Sequence, residues 1–341
     1  EYNAPFWGRY RHQEGLLLPS YASLQDYAGI TVHSLAVTRI PAELADFQLG
    51  RDPVGRAGQV IAAFAYGRGD VAAARHRVGV ALDDAFMRDP RNMNSGVSSE
   101  QNRLVLLTGL GVVLDGAVPA GLPPYPALDL TMPPSQGSRI AAQAMFTVPV
   151  DTNNVPDFAG ITAKLREKNI LPAGNLTDPE KGVFQSDTGE LVLRTGENCF
   201  TVDTLRLKGA AWEGGELRLS NLVFRSSLPC TAALISLDKA PLGESRRMRL
   251  VFSTDALNSG MELSADRRVL HKPGTLPVLL ETGTLELTLD CSAKLKCFAL
   301  GIDGERREEL PLHIGGGRIR LAIDTAKLRN GPALYFELAE R

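Results

Sequence analysis

The chain has 341 residues, of which 44% are apolar and 22% charged, with a net charge of −2. That composition is ordinary for a folded chain and excludes a disordered tail. The near-zero charge leaves no electrostatic footprint for nucleic acid or an anionic membrane surface, and no apolar run approaches the ~20 residues of a membrane span.

At the start stand a carboxylate and an amide, Glu1-Tyr2-Asn3, followed by an aromatic and cationic run, Phe6, Trp7, Arg9, Tyr10, Arg11, His12 and Glu14. The spacing of Leu17, Tyr21, Leu24 and Tyr27 predicts a helix over 16–26. After Gly29, residues 30–35 read as a short buried strand. Asp52-Pro53 has the form of an N-cap followed by a proline at the first helical position, and Val60, Ile61, Phe64 and Ala65 supply that helix with an apolar face. Residues 76–86 alternate as a strand does. Residues 104–114 are apolar throughout, so periodicity leaves strand and helix both open. Six prolines between 116 and 137 prevent regular helix there, and 160–168 predicts a short helix. From about 183 onward, short alternating stretches recur between turns such as Glu213-Gly214-Gly215 and Asn330-Gly331-Pro332. Dense strands with frequent turn signals predict an antiparallel sandwich.

Few residues suggest chemistry on their own. The four cysteines, Cys199, Cys230, Cys291 and Cys297, include no Cys-x-x-Cys pair and no histidine at zinc-ligand spacing, and they read as buried thiols. Asp187-Thr188-Gly189 occurs once, without the second copy an aspartic protease needs, and reads as a turn. Gly109-Leu110-Gly111 lacks the third glycine of a dinucleotide fingerprint. Phe6, Trp7 and Tyr10 could stack on a sugar ring or pack within their loop. His33 could donate to a sugar hydroxyl or serve as a structural hydrogen-bonded residue.

Together Glu1-Tyr2-Asn3, Arg9-Tyr10-Arg11-x-x-Glu14, Tyr21-Ala22-x-Leu24-Gln25-Asp26 and the run at 30–35 resemble the last units of a retaining glycoside hydrolase of the large (β/α)8-barrel superfamily. Asp52-Pro53, Ala62-Ala63-Phe64 and Arg68-Gly69-Asp70-Val71 continue the likeness. The resemblance implies that Glu1 is the catalytic nucleophile and that Asn3, Trp7, Tyr10 and His33 bind substrate. His33 stands where many relatives carry an aromatic residue.

The expected fold is therefore an α/β barrel remnant, the last βα units of a TIM barrel, followed by an all-β antiparallel sandwich. Its expected divisions are 1–75 (barrel end), 76–182 (connecting region) and 183–341 (sandwich). The expected function is that of the C-terminal portion of a retaining glycosidase, cleaving O-glycosidic bonds of a poly- or oligosaccharide through a covalent glycosyl-enzyme. Such chemistry requires no cofactor and no metal. The partner is a carbohydrate, not nucleic acid or membrane. Because the acid/base residue of such an enzyme lies on an earlier strand, this stretch alone is expected to be inactive, with helices in its first ~70 residues poorly ordered for want of a sheet to cover. The rival reading is a non-catalytic carbohydrate-binding or scaffold β-sandwich protein. Compartment (secreted or periplasmic included) and oligomeric state are left open.

Overall fold

The computed structural model describes residues 2–33, 47, 49–82, 88, 90, 102–114 and 157–340. In chain order these form α1 (Arg11–Leu24), α2 (Pro53–Ala62), β1 (Arg77–Leu82), β2 (Gly109–Leu114), α3 (Phe158–Glu167), β3 (Val183–Gln185) and β4 (Leu191–Arg194). There follow β5 (Cys199–Asp203), β6 (Leu207–Trp212), β7 (Gly215–Arg218), β8 (Leu222–Ser226), β9 (Cys230–Ser236), β10 (Arg247–Ser253), β11 (Ala256–Ser259), β12 (Glu262–Leu263) and β13 (Leu270–Lys272). The remaining strands are β14 (Thr275–Leu280), β15 (Thr284–Asp290), β16 (Leu295–Leu300), β17 (Arg306–Leu310), β18 (Leu312–Gly315), β19 (Arg318–Asp324) and β20 (Tyr335–Glu340). The chain divides into two compact units. One comprises Glu1–Ser23, Tyr27–Val71 and Thr195–Arg341, and the other Leu24–Asp26 and Ala72–Arg194.

In the first unit the larger sheet runs in the order β17-β16-β20-β10-β9-β6-β5 and the smaller in the order β18-β19-β15-β8-β7. Their neighbouring strands are antiparallel. Strand β15 shows why the two sheets face each other. Leu285, Leu287 and Leu289 are buried, while Thr284, Glu286 and Asp290 between them are exposed. The leucines join Phe224 and Leu321 of their own sheet and Leu234, Leu250 and Phe336 of the larger one in a single core. Each such side chain, once buried, stabilises the fold by roughly 1.5–3 kcal/mol.

Strand β9 is buried at every position, which an exposed outer face would not allow. The helices supply the cover. His12 of α1 meets Thr231 of β9, the Tyr21 ring lies 5.4 Å from that of Phe200, and α2 lies against β10. The two helices cross at Gly15 and Gly58. A Cβ on Gly15 would sit 2.0 Å from the Gly58 Cα, so only hydrogen fits there. Asp52 caps α2, its side chain accepting from the Val54 N–H, with Pro53 at the first position. A π-helical turn, Ala63–Gly67, ends the segment.

The second unit has its own core, in which Phe158, Ile161 and Leu165 of α3 pack with Val78, Leu104, Leu107 and Phe184. Strands β1 and β2 pair in parallel, and β3 and β4 form an antiparallel pair. The buried Asp187 carboxylate organises the surroundings, accepting from the His76 N–H (2.9 Å), the Arg75 N–H (3.2 Å) and the Thr108 hydroxyl (3.1 Å). The Asp-Thr-Gly turn is thus a structural knot. Residues 104–114, open to either reading in the sequence, form a 3-10 turn and then β2.

The barrel remnant is overturned. Among the described residues, antiparallel strands dominate and α-helices number three, so an all-β fold describes the chain. Of the expected strand at 30–35, residues 30–33 make only a bridge, Val32 pairing in parallel with Tyr2, and Thr31 and His33 are exposed. Ser34 and Leu35 lie outside the described residues. A barrel strand needs both faces buried; this run has neither. Nor do the early helices lack a sheet, since α1 and α2 cover the antiparallel one. The face of α1 agrees with expectation in part: Tyr21 and Leu24 are buried, whereas Leu17 is half-buried and Tyr27 exposed, and Arg11, His12, Gly15, Leu16, Pro19, Ser20, Ala22 and Ser23 are buried as well.

The Gly15–Gly58 crossing gives a direct test. Gly15→Ala should destabilise the protein by about 1–3 kcal/mol through backbone overlap, although alanine is the better helix former. A Cβ at Gly67 would meet nothing within 4 Å, so Gly67→Ala should change stability by less than about 0.5 kcal/mol. Urea denaturation midpoints of the two variants check the contrast.

Candidate functional site at the amino-terminal segment

The segment after Glu1 is fixed by main-chain bonds. The Tyr2 N–H donates to the Thr31 carbonyl (2.9 Å), and the Tyr2 carbonyl accepts from the His33 N–H (2.7 Å). The Asn3 amide donates to the His33 carbonyl at 2.6 Å and to the Phe47 carbonyl at 3.4 Å. One residue on, the Ala4 N–H donates to the Glu14 carboxylate at 2.8 Å. Helix α1 begins at Arg11, so Glu14 lies in its first turn and reaches back to the segment that precedes it.

Beneath this segment lies a charged cluster. The Arg11 side chain is 2% exposed. Its Nε and Nη2 donate to Asp52 at 3.1 and 3.3 Å, and its Nη1 to Asp255 at 2.8 Å. Nη2 also donates to the Ala256 carbonyl. The other Asp255 oxygen accepts from Arg267 at 2.6 Å. Arg11 further stacks over the buried Phe6 ring, 4.9 Å from its centroid. Two carboxylates and two guanidiniums thus form a continuous set, in which charge-assisted bonds offset the cost of desolvation.

Burial shifts the titrations here. It pushes the Glu14 carboxyl above the ordinary range, with the Ala4 N–H opposing and the Asp52 charge adding to the push. It likewise raises the Tyr2 phenol, against a side-chain hydrogen bond to Gln59 and with Glu14 adding to the rise. Glu14 is therefore a carboxyl able to hold a proton at a higher pH than an exposed one. The sequence placed it in the Arg9-Tyr10-Arg11-x-x-Glu14 run without assigning it a role.

Of the residues that the sequence singled out, Glu1 lies outside the described residues. Asn3 and His33 are brought together, the amide of one holding the carbonyl of the other. The exposed His33 ring meets Phe47 edge-on at 5.1 Å. Trp7 is half-buried, and its carbonyl accepts from Arg267 at 3.5 Å, which places it beside Asp255. Tyr10 is 49% exposed, with the Arg9 guanidinium 5.6 Å from its ring centroid. The structure thus joins Asn3 to His33 and Trp7 to the charged cluster, and leaves Tyr10 at the surface.

No group of three or more His, Cys, Asp or Glu side chains among the described residues is placed to hold a metal ion. Nor is any helix among them long and apolar enough to cross a membrane. Cys230 and Cys297 are buried in the core, and burial pushes both thiols up to about 12. No family model matches the chain, and no curated protein matches it.

Buried beside Arg11, His12 makes this region sensitive to pH. The Thr231 hydroxyl donates to the His12 carbonyl at 2.7 Å, and its oxygen lies 3.2 Å from the His12 Nδ1. Burial pushes the imidazole down to about 4, with Asp255 opposing and Arg11 adding to the push. An unfolded chain takes up this proton near pH 6.5. The contribution of His12 to stability is therefore intact above about pH 6.5 and is lost as the pH falls toward 4, a change of about 3 kcal/mol. Glu14, with a raised pKa, works in the opposite sense. Urea denaturation between pH 7 and pH 4 should show His12→Gln losing less stability than the parent, the difference isolating this group.

Proposed function

We propose that the chain is the C-terminal portion of a retaining glycosidase, with Glu1 as its nucleophile. The observation that carries the reading is the anchoring of Tyr2 and Asn3. Two main-chain hydrogen bonds and one donated by the Asn3 side-chain amide fix the residues that follow Glu1 beside His33. A nucleophile needs this kind of support, because misplacement by an ångström is costly in rate.

In the proposed reaction the Glu1 carboxylate attacks the anomeric carbon. The glycosidic C–O bond breaks, and the leaving oxygen takes a proton from an acid supplied elsewhere in the complete enzyme. Water, deprotonated by the same group, then cleaves the glycosyl ester. The exposed Tyr10 and the half-buried Trp7 offer ring faces to the C–H face of a pyranose. The exposed ring of His33 offers a donor to a sugar hydroxyl. The two displacements consume only water and substrate, so no cofactor enters.

The reading is tested on the complete protein that carries this stretch. A 2-deoxy-2-fluoro glycoside with an activated leaving group should trap a glycosyl-enzyme, and peptide mass mapping should place the adduct on Glu1. Glu1→Gln should lower kcat by about 10³-fold or more without altering the melting temperature. An adduct on another carboxylate, or unaltered turnover in Glu1→Gln, would refute the assignment. Absence of both hydrolysis and labelling would favour the non-catalytic sugar-binding reading.

A further inference from the structure

A second site is suggested by a cavity of about 600 Å³ over the outer face of the larger sheet, between α2, β10, β20 and the turn at 301–304. Val32, Leu49, Val60, Ala63 and Ile302 supply apolar wall, and the polar groups facing it are Arg56, Gln59, Arg249, Asp303 and Tyr335. A mostly apolar cleft of this size with a few convergent polar groups is the usual form of a small-molecule site.

The charges around it do not balance. Glu337 lies opposite Arg249 in the β10–β20 register, but its two oxygens are taken by Arg247 at 2.7 Å and Arg306 at 2.8 Å. Asp303 is paired with Arg307, and Asp52 with Arg11. Among the described residues no carboxylate pairs with Arg56 or Arg249. The Arg56 Nη1 has, among the described residues, only the Gly50 carbonyl, at 3.4 Å. The Arg249 Nε is wholly buried and has no acceptor among the described residues, a costly condition for a charged donor. Burial lowers the Arg249 pKa, with Glu337 opposing. Burial raises the Tyr335 phenol, while both Arg56 and Arg249 pull it down. Both cations therefore act on this hydroxyl, which stays protonated and able to donate.

We infer that this cavity binds a small organic acid, its carboxylate held by Arg249 and Arg56 with the Tyr335 hydroxyl as a further donor and its body against the apolar wall. A carboxylate matches the planar fork of an arginine and can accept from the terminal nitrogens of Arg249 and Arg56. A phosphate would bring a larger charge and a third oxygen, for which the apolar wall offers no donor. The cavity adjoins the amino-terminal segment, since Val32 pairs with Tyr2 and Gln59 bonds the Tyr2 phenol, but Arg249, Arg56 and Tyr335 take no part in the proposed glycosidase chemistry.

Isothermal titration of the protein with benzoate tests the inference, with benzyl alcohol as the neutral counterpart and inorganic phosphate as the competing anion. Saturable benzoate binding is expected, with benzyl alcohol and phosphate each at least tenfold weaker. Arg249→Gln should weaken benzoate at least tenfold. Arg56→Gln, at an exposed helix position, should weaken it severalfold with the melting temperature unchanged. Should Arg249→Gln fail to fold, the Arg56→Gln result decides. Absence of saturable benzoate binding, equal binding of benzyl alcohol, tighter binding of phosphate, or unchanged affinity in the folded variants would overturn the inference.

Discussion

The Arg11 guanidinium is the joint on which the first unit depends. One side chain holds the aspartate that caps α2, the aspartate just before β11, and the first carbonyl of β11. It therefore fixes both helices to the β-structure at a single point. Lysine could not replace it, because only the planar fork reaches all three acceptors at once. Removing the guanidinium would leave Asp52 and Asp255 buried with too few donors, a loss of about 3–5 kcal/mol for a broken buried pair. The rest follows from this placement. With α1 held, Glu14 is in reach of Ala4, and the segment leading from Tyr2 is aligned along residues 31–33. With α2 held, Arg56 and Gln59 form one wall of the cavity above β10.

What the sequence made legible was local. The alternation in 285–289 and 319–323 identifies strands, and the structure has them, one residue longer at each end and with one buried face, as β15 and β19. The Asp52-Pro53 cap was likewise readable, because a cap is decided by two adjacent residues. The buried face of α1 was legible only in part. Periodicity marked Tyr21 and Leu24, which are buried, but also Leu17, which is half-buried, and Tyr27, which is exposed. It could not mark Arg11, His12 and Gly15, whose burial depends on partners far along the chain. The barrel expectation failed for a related reason: a carboxylate, loop, helix and short apolar run occur in that order whether the helix flanks a parallel sheet or covers an antiparallel one.

The candidate sites divide in the same way. The aromatic and polar residues near the start could be picked out by type, and the bond between Asn3 and His33 brings two of them together. The charged cluster could not be read, since Asp255 lies 244 residues from Arg11. The cavity was equally hidden. Arg249 and Tyr335 approach only because β10 pairs with β20, and no local pattern specifies that pairing.

That position of β20, between β10 and β16, bears on how the protein is made. On the ribosome every other strand of the larger sheet emerges first. Until β20 arrives, β10 and β16 each present an unpaired edge, and Leu250 and Cys297 lack the neighbours that Phe336 and Leu338 provide. Open, apolar strand edges invite pairing with other chains, and closing a sheet through contacts so distant in sequence is slow. Between synthesis of β16 and docking of β20, a nascent chain therefore holds two such edges open at once.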